Sequence, residues 1–243
     1  MRRRAFISGS GRNIGRAVAL KLAQAGVDVV LNGRSDAASC QAVAEEVRAL
    51  GAKAHVVMGN VGEIGEAKRM AAEAIEQFGG IDILVNNAGM RPHKSLLDLA
   101  DEEWLAVLDT NLNACFWLSR AFLPGMKERR WGRIINFAGM NAMRGSPEYG
   151  PVSASKHGGW GLAKCIATEF GPYGITANSV SPGPIRDDGQ EDADTAADGT
   201  RLRIPLNRTG LPSEVAALVA LLCSDEGGFI SGQMIAVNGG GQT

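Results

Sequence analysis

A chain of 243 residues with 45% hydrophobic content is long enough to bury one large core, so one domain spanning 1–243 is expected. Its 25 Lys and Arg are interspersed among 26 Asp and Glu, which argues against the basic field that nucleic-acid or membrane-surface binding exploits; neither partner is expected. Four dispersed cysteines (Cys40, Cys115, Cys165, Cys223) and three separated histidines (His55, His93, His157) form neither a disulfide framework nor a metal-ligand spacing, so no metal is expected.

The basic start Arg2-Arg3-Arg4 precedes only Ala5-Phe6-Ile7 before Ser8, too short for a signal-peptide core. No apolar run approaches the ~20 residues that span a bilayer, and a cytoplasmic location is expected.

Along the chain, short β-branched runs alternate with segments of helical period. The expected strands are Ala5 to Ser8, Asp28 to Leu31, Ala54 to Met58, Ile83 to Asn86, Arg133 to Phe137, Thr176 to Val180 and Met234 to Val237. Between them, stripes such as Ile14/Val18/Leu22 and Val43/Val47/Leu50 would each face a sheet. Ser35 is a plausible N-cap of the second helix, and Gly26 and Gly51 stand where helices end in a left-handed residue. The alternation predicts an α/β fold: a doubly wound, seven-stranded parallel sheet with helices on both faces. From Pro182 to Pro212 the pattern breaks into the acidic run Asp187 to Asp192, and this stretch is expected to be a lid over the carboxyl ends of the strands.

The most telling segment is Ser8-Gly9-Ser10-Gly11-Arg12-Asn13-Ile14-Gly15, which leaves the first strand and opens the first helix. A helix N-terminus offers unpaired N–H groups and a positive dipole end, and glycines let that backbone approach a pyrophosphate closely. Further segments follow in order: Asn86-Asn87-Ala88-Gly89, Asn111, Ser153-Ala154-Ser155-Lys156, Pro182-Gly183, and the ending Ser231-Gly232-Gln233 with Val237-Asn238-Gly239-Gly240. Over nearly its whole length the chain resembles the short-chain dehydrogenase/reductase family of Rossmann-like enzymes.

That resemblance implies a nicotinamide dinucleotide held by Gly9, Ser10, Gly11, Arg12, Asn13, Ile14 and Gly15, by Asn60 and Val61 near the adenine, by Asn87, Ala88 and Gly89, by Lys156, and by Pro182, Gly183 and Ile185. Asn13 takes the place of the family's middle glycine, and asparagine tolerates a left-handed backbone better than other residues that carry a Cβ. At the end of the second strand, where an NAD-preferring relative places a carboxylate, stands Asn32-Gly33-Arg34. Arg34 and Arg12 can make charge-assisted contacts to a 2′-phosphate, so NADP(H) is expected over NAD(H).

The resemblance fails at the chemical centre. The position four before Lys156, where the family has its tyrosine, is Val152, and the serine region reads Asn136-Phe137-Ala138-Gly139-Met140-Asn141. Asn111 and Lys156 remain as candidate catalytic residues, joined by Tyr149, seven residues before Lys156. That spacing resembles the enoyl reductases of the superfamily, although Pro151 tends to leave Tyr149 in the loop before the helix. His93 is a lesser candidate donor; His157 would point roughly 100° away from Lys156. Gly158, Gly159 and Gly161 suggest close helix packing, perhaps across the boundary of the homotetramer or homodimer that the resemblance implies.

The leading expectation is an NADP(H)-dependent oxidoreductase acting on a small carbonyl or conjugated enone/enoyl substrate through an atypical site. Two alternatives stay open: a cofactor-binding but redox-inactive regulatory or scaffold protein, and a non-redox, lyase- or dehydratase-like enzyme on the same fold.

Overall fold

A computed structural model describes residues 2–140, 145–187 and 204–241. In chain order it contains β1 (Arg4–Ile7), α1 (Asn13–Gln24), β2 (Asp28–Gly33), α2 (Ala37–Ala49), β3 (Ala54–Met58), α3 (Ile64–Phe78), β4 (Ile83–Asn86) and α4 (Asp101–Leu108). A π-helical turn (Asp109–Asn113) then runs into α5 (Ala114–Arg129), followed by β5 (Gly132–Phe137), α6 (Gly150–Phe170), β6 (Ile175–Pro182), α7 (Pro212–Leu222) and β7 (Met234–Val237). All strand pairs are parallel, in the order β3-β2-β1-β4-β5-β6-β7, which is the doubly wound, Rossmann-like arrangement expected.

The period of two in the strands explains the layering. Ala5, Ile7, Val29, Leu31, Ile83, Val85 and Ile135 point into one core, with Val18 and Leu22 of α1, Val43 and Val47 of α2, and Val219 of α7. Their neighbours Phe6, Val30, Leu84 and Ile134 point into the other, with Met70 of α3, Leu118 and Phe122 of α5, and Ile166 of α6. Runs that are apolar at every position are what a sheet covered on both faces requires.

Three expectations need correction. β1 stops at Ile7, because the hydroxyl of Ser8 already turns to the amides of Asn87 and Ala88, each at 3.0 Å. The second helix is capped by Asp36, whose carboxylate accepts from Ser39 N at 3.0 Å; Ser35 lies one residue too early. Leu50 does not continue the Val43/Val47 stripe but ends the helix at 43% exposure. Gly26 and Gly51 do take left-handed angles, at φ +81° and +80°. β2 and β6 extend beyond the expected spans, since Asn32 and Gly33 pair with Val57 and Met58, and Ser181 and Pro182 with Ala236 and Val237.

Of the stretch from Pro182 to Pro212, residues 188–203 lie outside the described residues, as does Asn141. Among the described residues no helix is long and apolar enough to cross a membrane, and no group of three or more His, Cys, Asp or Glu could hold a metal ion.

Candidate active site

The strand order reverses between β1 and β4, and a cleft of about 730 Å³ opens there, along the carboxyl edge of the sheet. Its floor is the turn from Ser8 to Gly15. Gly9 adopts φ +63°, and Asn13 takes the left-handed angle φ +49° that its place in the turn demands. Gly15 admits no substituent: a Cβ there would lie 2.2 Å from the carbonyl of Gly9 and 2.8 Å from Ser10 Cα. Helix α1 has no side-chain cap and no acid in its first turn, so its N-terminal amides face the cleft uncompeted. A backbone this close, at a bare helix N-terminus, fits a pyrophosphate.

Neighbouring strands hold the turn in place. Asn87 Nδ2 donates to the carbonyls of Ser8 and Gly9 at 3.1 and 2.7 Å. Ser10 is fully buried and exchanges hydrogen bonds with the Asn32 backbone, so it shapes the turn from beneath and its hydroxyl does not line the cleft.

At the β2 end Arg12 and Arg34 line the cleft, both exposed. The sequence reading missed an acid here. Asp36 lines the same end, within electrostatic reach of Arg12, but hydrogen bonds from the Ser39 hydroxyl and amide engage its carboxylate and hold it below the usual carboxylate range. Asn60 lines the cleft as well, its Oδ1 accepting from Gly62 N at 3.1 Å, and Val61 beside it is buried. Pro182, Gly183 and Ile185 close the side where β6 ends.

The inner end is built around Lys156. Its Nζ donates to the Phe137 carbonyl at 2.7 Å, and it is 7% exposed. Burial pushes the ammonium down to about 8. Asn111, buried in the π-helical turn, does not line the cleft: its amide pairs with the backbone of Met90, accepting from N at 2.8 Å and donating to O at 2.9 Å. A Cβ built on Gly89 would lie 3.3 Å from Asn111 Oδ1 and 3.5 Å from Lys156 Nζ, so these two groups flank the Asn87-Ala88-Gly89 turn.

Tyr149 sits apart from these. It is the N-cap residue of α6, its ring 4.9 Å from that of His93, which pairs with Glu148 at 2.7 Å, and none of the three lines the cleft. Val152 is buried. Gly139 lines the cleft at φ +134°, an angle that residues with a Cβ rarely adopt, and neither it nor Ala138 offers a side-chain oxygen.

A family model described as enoyl-(acyl carrier protein) reductase matches residues 9–242. A 3-oxoacyl-(acyl-carrier-protein) reductase, FabG, of Staphylococcus epidermidis is 38% identical over 241 residues, with 99% of each chain covered. The chain belongs to the short-chain dehydrogenase/reductase family. Among solved members, acetoin dehydrogenase YohF from Salmonella typhimurium matches with a TM-score of 0.92 at 30% identity, covering 99% of this chain and 96% of that one. A short chain dehydrogenase from Burkholderia cenocepacia, solved in complex with NADP, matches at 0.90 and 33%, covering 99% and 98%.

As a short-chain dehydrogenase/reductase, the chain brings all but three of the residues expected at its site to the wall of one cleft. Ser10 lies beneath it, Asn111 behind it and Tyr149 beside it. Sequence reasoning missed Asp36, Met90, Arg91 and Thr110, which line it too. The helical register after the Asn-Ala-Gly turn could have pointed to Thr110, one residue before Asn111. Nothing in the sequence marks Arg91 or Asp36 as facing the cleft.

Proposed function

We propose that this short-chain dehydrogenase/reductase is an NADP(H)-dependent oxidoreductase acting on a small carbonyl or conjugated enone/enoyl substrate. One observation carries the cofactor choice: the pyrophosphate cradle ends at Arg34 and Arg12, with the nearest carboxylate, Asp36, already engaged by Ser39. A planar guanidinium suits a 2′-phosphate, and an engaged acid repels it less than a free one would. The NADP complex of the Burkholderia cenocepacia relative supports this reading.

The bound nicotinamide would supply or accept a hydride. This chain's own residues do the rest. Gly9, Asn13 and Gly15 shape the turn around the pyrophosphate, Asn87 holds that turn to β4, and Lys156 places a cation at the inner end, where charge develops on a substrate oxygen. Asn111 fixes the Met90 backbone behind it. The names of the FabG and acetoin dehydrogenase relatives support a 3-oxo thioester or a small diketone as substrate. Exposed apolar side chains on α4 and α5, Leu105 and Phe116, support a homo-oligomer built through these helices.

Titration of the protein with NADPH and NADH by fluorescence tests the cofactor, and nicotinamide absorbance against acetoacetyl-CoA, 2,3-butanedione and an enoyl thioester tests the reaction. Tighter binding of NADPH with turnover on one of these is expected. Binding without turnover would favour the second reading, a redox-inactive cofactor-binding protein, to which Val152 and Gly139 give weight, since neither can transfer a proton.

A further inference from the structure

Hydride transfer to a carbonyl leaves an oxygen that must take a proton, and few groups at the inner end of the cleft can give one. This end is bounded by Gly89, Met90, Thr110, Phe137 and Gly139, and its ionisable side chains among the described residues are Arg91 and Lys156. The other acids and thiols of the cleft lie elsewhere: Asp36 and Cys40 at the β2 end, and Asp187 against Asn13 at 2.5 Å. Arginine does not lose its proton in proteins, and the hydroxyl of Thr110 lies against Met90 Sδ at 3.4 Å. Residues 141–144 and 188–203, outside the described set, contain no His, Tyr, Cys or Lys.

We propose that Lys156 is itself the proton donor of the reaction, its Nζ protonating the substrate oxygen directly or through one water. The proposal rests on the oxidoreductase reading above. The balance is simple. The carbonyl carbon gains a hydride from the reduced nicotinamide, the C=O π pair moves onto oxygen, and that oxygen bonds to a proton released from the Lys156 ammonium. The neutral amine then regains a proton from water.

The surroundings suit this role. Burial lowers the ammonium to about 8, and the cation of Arg91 pushes the same way. From α5 the Cys115 thiol faces Lys156, but burial holds that thiol up at about 11, so it is uncharged at neutral pH and does not stabilise the ammonium. Asn111 is neutral, and β5 presents only the Phe137 carbonyl, which keeps Nζ in place. A donor poised just above neutral pH is predominantly protonated and still weakly basic after transfer, the compromise that general acid catalysis favours.

The test uses the NADPH-bound protein and acetoacetyl-CoA or 2,3-butanedione. For the wild type, kcat for reduction is expected to fall about tenfold per pH unit above about 8. In the protein without cofactor, the rate of Lys156 acetylation, followed by mass spectrometry of its peptide, should have a midpoint near the same pH. Lys156→Arg keeps the cation and should bind NADPH within about tenfold of wild type, yet lose about 10²- to 10⁴-fold in kcat and the alkaline limb with it. A flat wild-type profile from pH 7 to 10, an acetylation midpoint near that of a free lysine, or full kcat in Lys156→Arg would overturn the assignment. So would an alkaline limb that disappears in Tyr149→Phe, or NADPH binding with no reduction at any pH. Failure of the wild type to bind NADPH at all would instead defeat the oxidoreductase reading beneath it.

Discussion

Asn87 Nδ2 donates to the carbonyl of Gly9 at 2.7 Å, so the turn after β4 holds the turn after β1. The same amide reaches the Ser8 carbonyl at 3.1 Å. Asn87→Ala leaves both half-buried carbonyls without this partner, and a loss of about 1–3 kcal/mol in stability is expected. NADPH affinity should drop by about tenfold or more, since the phosphate-binding backbone loses its brace. Denaturant unfolding and fluorescence titration measure the two effects separately.

Gly15 and Asn13 should respond in opposite directions. Gly15→Ala forces a methyl into the carbonyl of Gly9 at 2.2 Å, and because that neighbour is backbone, the turn must move. A loss of more than about 2 kcal/mol and of measurable NADPH binding is expected. Asn13→Gly relieves a φ of +49° in a residue with a Cβ, which favours stability by roughly 0.5–1 kcal/mol, offset by the loss of the Asn13 contact to Asp187. Melting temperatures of both variants, compared with NADPH affinity, check this pair.

At the opposite edge of the sheet, Asp82 accepts from Arg4 Nε at 2.8 Å and from Arg129 Nε at 2.7 Å, with its side chain 2% exposed. Burial alone would raise its carboxyl, but the two guanidiniums outweigh it and hold it below the ordinary value. A depressed folded value means that the stabilisation is present above about pH 4 and is lost as pH falls through the folded value. Asp82→Asn removes the charge between two arginines and should cost about 3–5 kcal/mol at neutral pH, with the difference from wild type narrowing in acid. Urea unfolding across pH 2–7 reads both.

Much of this architecture was legible because strand and helix periods leave separate marks. The spans Ala54–Met58, Ile83–Asn86 and Met234–Val237 agree with expectation to the residue, since each is an apolar run bounded by turn or helix signals. The cleft was legible for the same reason, its turns carrying glycines and asparagines whose angles the chain must adopt. What stayed hidden depends on three dimensions. Ser10 sits between Gly9 and Gly11 in the sequence, yet its hydroxyl faces Asn32 from below. Asp36 faces the cleft because it caps α2, and Tyr149 is drawn to His93, 56 positions away, by a contact that no local pattern encodes.

Lys156 should cost the fold stability at neutral pH. Its folded value, about 8, lies below the ~10.4 of an unfolded lysine, so the unfolded state binds the proton more tightly. The penalty is full below about pH 8 and fades as pH rises toward about 10.4. Lys156→Met is therefore expected to be about 1–3 kcal/mol more stable than wild type at pH 7, less what the hydrogen bond to Phe137 contributed, with the gain gone by about pH 10. Thermal unfolding at pH 7 and pH 10 decides it.

Arg34→Ala should weaken NADPH by about tenfold, one charge-assisted contact's worth, while leaving NADH nearly untouched. An equal effect on both nucleotides would show that Arg34 does not meet the 2′-phosphate.

The widened turn at Asp109–Asn113 sets the phase of everything that follows it along the same continuous rod. Deleting one of its five residues would let the ladder tighten to ordinary spacing and rotate α5 by roughly 100° relative to α4, swinging Leu118 and Phe122 off the sheet. An extra residue in this place works as a gear tooth: it lets one face of the rod serve Met90 while the next stretch serves the core.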